Sequence, residues 1–99
     1  MNTKDFTNNF SEAYLNRNEV MGNTVVTYNA ADDSFSWQSS LVPLQSGEVV
    51  VATIEDGMFG EAETREEIEH CVKFYYLDDP DVVREIENKI AEAKDEISD

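Results

Sequence analysis

Positive charge is scarce in this sequence. Seven Lys and Arg stand against 22 Asp and Glu in 99 residues, a formal net charge of −15. No basic stripe is available to displace counterions from a phosphate backbone, so direct binding of DNA or RNA is not expected. Anionic lipid headgroups would repel such a chain as well. Long apolar runs are missing too. The longest, Val49–Ile54, is far shorter than the ~20 residues a membrane-spanning helix needs. The start, Met1-Asn2-Thr3-Lys4-Asp5, has no basic segment followed by an apolar one, which argues against a secretion signal. Cysteine occurs once, at Cys71, which excludes an intrachain disulfide and fits a reducing cytoplasm. Lying near Ile68, Val72 and Tyr75, it reads as a small core residue rather than a nucleophile.

Catalytic signatures are also absent. There is no Gly-x-Gly-x-x-Gly, Walker loop, Cys-x-x-Cys or serine elbow. His70 and Cys71 are adjacent, and adjacent helical residues point about 100° apart, so they make no dyad. Asp32-Asp33 and Asp78-Asp79-Pro80-Asp81 are rich in carboxylates but lack the spacing of a calcium loop, and turn and capping chemistry explains them. The expectation is a protein with no cofactor, no metal and no enzymatic turnover.

What the chain does contain points to one small α+β domain over residues 1–99. Five Phe, four Tyr and one Trp can build a modest core. Phe6, Phe10 and Tyr14 recur every four positions, which predicts a helix over 3–17 with Thr3 as its cap. Residues 24–28 are β-branched and aromatic. Residues 34–38 alternate polar and apolar, placing Phe35 and Trp37 on one face, under a helix. Glu48–Ile54 predicts a third strand. Short links between successive strands predict an antiparallel meander.

Met58–Glu63 reads as an exposed connection whose Met58 and Phe59 either tuck into the core or form an apolar anchor inside an acidic rim. Thr64-Arg65-Glu66-Glu67 matches a capping box and opens a helix to Leu77, with Ile68, Cys71, Val72 and Tyr75 as its buried stripe. Phe74, Tyr75 and Tyr76 cannot all face one core, so at least one of them, Tyr76 first, is expected to be partly exposed and available to a partner. Asp79 and Pro80 start the last helix. Its residues Val82, Val83, Ile86, Ile90, Ala93 and Ile97 share one side. The predicted order is α-β-β-β-α-α, with a three-stranded antiparallel sheet, one N-terminal helix and two C-terminal helices.

The acids are unevenly placed. Residues 1–54 hold six against two bases, and residues 55–99 hold sixteen against five. Self-repulsion on this scale opposes compaction. On the last helix Glu85, Glu92, Asp95, Glu96 and Asp99 are expected on the face opposite the isoleucines. Glu66, Glu67 and Glu69 form a second group, and Asp78, Asp79 and Asp81 a third. Carboxylates on a rigid helix approximate a row of discrete negative charges, and duplex DNA is such a row, at roughly one per 1.7 Å of axis. The residues assigned to partner binding are therefore Glu66, Glu67, Glu69, Asp78, Asp79, Asp81, Glu85, Glu92, Asp95 and Glu96.

In size, charge and compactness the chain resembles small phage- or plasmid-encoded DNA mimics, such as anti-CRISPR and antirestriction proteins. That resemblance implies an inhibitor, a monomer or homodimer, docked on the basic nucleic-acid groove of a larger protein. A small enzyme working through two nearby carboxylates is one rival reading, although no acid/base pair can be assigned, and three others stand beside it. One is an adaptor for another basic protein, or one that self-associates through the last helix. Another is a solvated outer face supported by local pairs such as Glu85 with Lys89 and by helix dipoles. The third is adaptation to a high-salt habitat.

Overall fold

A computed structural model describes residues 1–98 and bears out the order α-β-β-β-α-α. Helix α1 spans Thr3–Leu15 and is shorter than its pattern suggested, because Asn16 caps its end and the chain turns. Its N-cap is Asn2 rather than Thr3. The Asn2 side chain accepts from the backbone N–H of Asp5 at 3.0 Å, one of the orphan donors of the first turn. The Asp5 carboxylate accepts from the backbone N–H of Phe35 at 2.9 Å, tying the helix to the sheet.

The sheet contains β1 (Thr24–Asn29), β2 (Ser34–Ser39) and β3 (Glu48–Ile54), all paired antiparallel. Its order is β2-β1-β3, so the expected meander does not form. Side-chain chemistry explains the exchange. Thr24-Val25-Val26-Thr27-Tyr28 has no charged residue on either face and is buried throughout, which suits the centre. In β2 Ser34, Ser36 and Gln38 alternate with Phe35 and Trp37, which suits an edge with one apolar face. The link 40–47 must then carry the chain from the Thr24–Ser39 end of one edge to the Asn29–Glu48 end of the other. Eight residues reach at most about 27 Å and the strand is about 20 Å long, so a diagonal crossing fits. Gln38, opposite Val25 in the sheet, donates to the Val42 carbonyl of the link at 3.5 Å. Hydrogen bonds fasten both its ends, Ser40 N to Asn23 O at 2.7 Å and Ala30 N to Gly47 O at 2.8 Å. A bulge in β3 beside Val26 and Thr27 adds Val51 to the core.

The other face of the sheet carries the core. Phe6 meets Phe35 edge-on at 5.4 Å, and Phe35 meets Tyr28 at 5.4 Å. Phe59 stacks on Phe10 at 5.5 Å and on Tyr14 at 5.0 Å. The connection before α2 is thus exposed in its backbone but inserts a buried ring, with Met58 packed beside it.

Helix α2 (Arg65–Val72) continues into a π-helical turn, Lys73–Leu77, and α3 covers Pro80–Ile97. The π turn changes which aromatic is buried. An α-helical stripe through Ile68 and Val72 would continue at Tyr75. The i→i+5 pattern, seen in the bond from Asp78 N to Lys73 O at 2.8 Å, lengthens the turn by a residue and brings Tyr76 inward. Tyr76 lies 4.8 Å from Phe10, while Phe74 and Tyr75 remain 61% and 55% exposed. The expected burial of Tyr75 is therefore overturned: Tyr75 and Phe74 are the exposed rings, and Tyr76 is half-buried against the core. Cys71 is part-buried against the core, as its neighbours suggested.

Candidate functional site

The acids enter the structure through helix ends and helix flanks. The Thr64–Glu67 capping box forms in full, with the Thr64 hydroxyl accepting from Glu67 N at 3.2 Å and the Glu67 carboxylate accepting from Thr64 N at 3.2 Å. The Thr64 hydroxyl and backbone N–H, with a further backbone bond from Glu63, hold the Glu67 carboxyl below its usual range. Glu69 pairs with Arg65 at 3.1 Å, and Arg65 also reaches Glu12 of α1 at 2.7 Å and the side chain of Asn8. The bonds to Glu12, foremost, and to Glu69 raise the already high pKa of the guanidinium.

Asp78 takes both of its 3.1 Å bonds from Lys73, an i,i+5 pair that the π turn brings onto one side. Asp79 caps α3 by accepting from Asp81 N at 3.0 Å and from Val82 N at 3.5 Å. Asp81 lies 3.8 Å from Arg84. Half of the expected binding residues thus have structural work within their own helix ends. Glu66 is exposed near the start of α2, where the macrodipole favours a carboxylate.

The acids of α3 differ. Its apolar side, centred on Ile86, Ile90 and Ala93, packs against β3 and is buried. At about 100° per residue, Asp81, Glu85, Glu92 and Glu96 follow one flank of the helix rather than the side opposite the isoleucines, and Asp95 alone sits fully opposite. From Asp81 to Glu96 the row is about 22 Å long at ~1.5 Å per residue. All five are exposed. Glu85, Glu92, Asp95 and Glu96 have no Lys or Arg nitrogen within 4.0 Å among the described residues, and the pair expected between Glu85 and Lys89 does not form. Asp99 lies outside the described residues.

The three acidic groups do not merge into one sheet. Helix α2 packs on α1, whereas α3 packs on β3 and the π turn, so Glu66, Glu67 and Glu69 belong to a different side from the α3 row. Beside that row the structure places something the sequence pattern did not foresee. A groove of about 360 Å³ runs between α3 and the π turn, with Glu85 and Lys89 on its rim, Phe59, Ile86 and Val51 in its floor and Tyr75 as its wall. Glu55, at the end of β3, adds negative charge nearby. Burial first and the Glu55 charge second push the Tyr76 hydroxyl above its ordinary pKa. The run Phe74-Tyr75-Tyr76 is the trace of the groove in the sequence.

Among the described residues no three His, Cys, Asp or Glu gather as a metal site, and no helix is long and apolar enough to cross a membrane. Comparison with protein-family models, with characterised proteins and with solved structures finds no match to this chain.

Proposed function

We propose that this chain is an acidic docking protein that occupies the basic nucleic-acid-binding groove of a larger protein and keeps nucleic acid out. The mechanism is steric and electrostatic competition without turnover, in the style of DNA-mimic anti-CRISPR and antirestriction proteins. A cytoplasmic location goes with the reading. The single observation that carries it is the α3 row: Asp81, Glu85, Glu92 and Glu96 stand exposed along ~22 Å of one rigid helix, three of them without a cationic partner among the described residues. Carboxylates that only needed solvation would be satisfied by a mixed surface. A row of exposed carboxylates on one helix raises the encounter rate with a basic groove and sets register there. Lys89 and Lys94 lie on α3 too, so the row is a net negative stripe rather than a pure one.

Self-association through the apolar stripe of α3 finds less support, because Ile86, Ile90 and Ala93 already pack in the protein's own core. Capture from a bacterial lysate at moderate salt, followed by mass spectrometry and competition against labelled duplex, tests the proposal. The parent protein is expected to retain a nucleic-acid-binding protein and displace duplex from it. Glu85→Lys, Glu92→Lys and Glu96→Lys together should leave the fold intact and weaken displacement by more than tenfold. Equal displacement by parent and triple variant removes the α3 flank as the binding surface.

A further inference from the structure

The groove beside the α3 row combines features that neither acidity nor core packing requires. Phe6, Phe10, Phe35, Phe59, Tyr14 and Tyr28 are all buried, yet Phe74 and Tyr75 are left outside at 61% and 55% exposure. They are fixed in place. Tyr75 stacks nearly parallel on Phe59 at 6.0 Å and 9°, and the Phe74 and Tyr75 rings are perpendicular at 5.0 Å and 89°. The backbone that holds them out is a π turn, a geometry that recurs at functional sites. The i,i+5 pair of Lys73 with Asp78 braces it. Glu85 and Lys89 both line the groove with Tyr75, and no Lys89 nitrogen comes within 4.0 Å of the Glu85 carboxylate among the described residues.

We propose that this groove receives an arginine side chain of a basic protein partner, its guanidinium lying over the Tyr75 ring and against the Glu85 carboxylate while its aliphatic stem follows the apolar floor. The inference rests on the basic-partner reading above and names the chemistry of the anchor. Arginine fits better than lysine for a physical reason. Its planar, weakly hydrated cation stacks on an aromatic face and still offers donors at its edge to a carboxylate, whereas an ammonium holds its water more tightly. An apolar or aromatic segment would gain nothing from the Glu85 carboxylate. A desolvated anchor beside a charged row is also how interfaces concentrate binding energy.

Titration of the full chain with octa-arginine and with octa-lysine, followed by calorimetry and by NMR shifts of Phe74, Tyr75 and Glu85, tests the site. Octa-arginine is expected to bind at least fivefold more tightly and to move those three resonances. Phe74→Ala with Tyr75→Ala should erase the preference and leave octa-lysine affinity unchanged. Tyr75→Leu, which keeps bulk but removes the ring, should do the same, and circular dichroism verifies the fold of both variants. Equal affinity for the two peptides in the parent, or a preference that survives both variants, overturns the groove. If the groove fails but both peptides still bind with steep salt dependence, the acidic docking reading stands. If arginine preference holds while lysate capture returns no nucleic-acid-binding protein, the groove stands and the competition reading falls.

Discussion

Residues 1–54 and residues 55–98 divide the labour of this protein. The first segment carries little net charge and supplies the sheet and α1, whose Phe6, Phe10 and Tyr14 are essentially inaccessible. The second carries most of the acid. Phe59, Ile68, Val72, Ile86, Ile90 and Ala93 attach it to the first, with Met58, Cys71, Tyr76, Leu77 and Val82 half-buried beside them, and most of its acids face solvent. Because the stabilising burial is concentrated in one segment, the other can hold like charges along a helix without unfolding the domain. Stability and charge are therefore separable by mutation.

The sharpest way to break this contrast is in the aromatic core. Phe10→Ala removes a ring that touches Phe6, Phe59 and Tyr76, and should cost about 3–5 kcal/mol in denaturant unfolding. Phe74→Ala, in the acidic segment, should lie within about 0.5 kcal/mol of the parent, as exposed substitutions do.

Alkaline unfolding separates the segments a second way. Burial, with the 2.5 Å bond to Asp33 and its charge behind it, pushes the Tyr28 phenol up to about 12 from an ordinary 10.0. The unfolded chain releases this proton first. The contribution is complete below pH 10 and is lost as pH rises from there through 12. Tyr28→Phe should remove that part of the pH dependence in this window.

Gly47 is where the segments meet. Its φ is +85°, and an added Cβ would lie 2.8 Å from Cγ2 of Ile97. Gly47→Ala should cost about 1–3 kcal/mol by overpacking and backbone strain. Pairing it with Ile97→Ala should recover the steric part and leave the backbone part. Thr64→Ala should cost about 1 kcal/mol by loss of the cap. The lowered Glu67 pKa adds stability above the ordinary carboxyl range, so that share should fade as pH drops through it. Smallest is Asp78→Asn, at about 0–1 kcal/mol, because its pair with Lys73 is exposed.

Local pattern was legible wherever one residue type served one local purpose. The four-residue spacing of Phe6, Phe10 and Tyr14 marked α1, and Thr64 with Glu67 marked the start of α2. Asp79-Pro80 marked the start of α3. The three strands fell where β-branched or alternating residues stood. Much of the candidate site was not legible. Sorting the acids into those that cap or pair and those that stand free needs distances. Glu67, Glu69, Asp78 and Asp79 turn out to be engaged, while Glu85, Glu92 and Glu96 are not paired among the described residues. The aromatic groove escaped notice because a one-residue lengthening of a helical turn leaves no mark in a 3.6-residue pattern.

Sequence alone determined the charge, the type of each element and the apolar side of α1 and α3, because these depend on neighbours within a few positions. Tertiary structure decided three things. It put β1 in the centre of the sheet, because only that strand could be buried on both faces. It exchanged Tyr75 for Tyr76 in the core, because the π turn carries Tyr76 toward Phe6 and Phe10. It set the α2 acids apart from the α3 row, because the two helices dock on different partners. Each of these outcomes rests on contacts between residues far apart in the chain, which the order of side chains does not by itself encode.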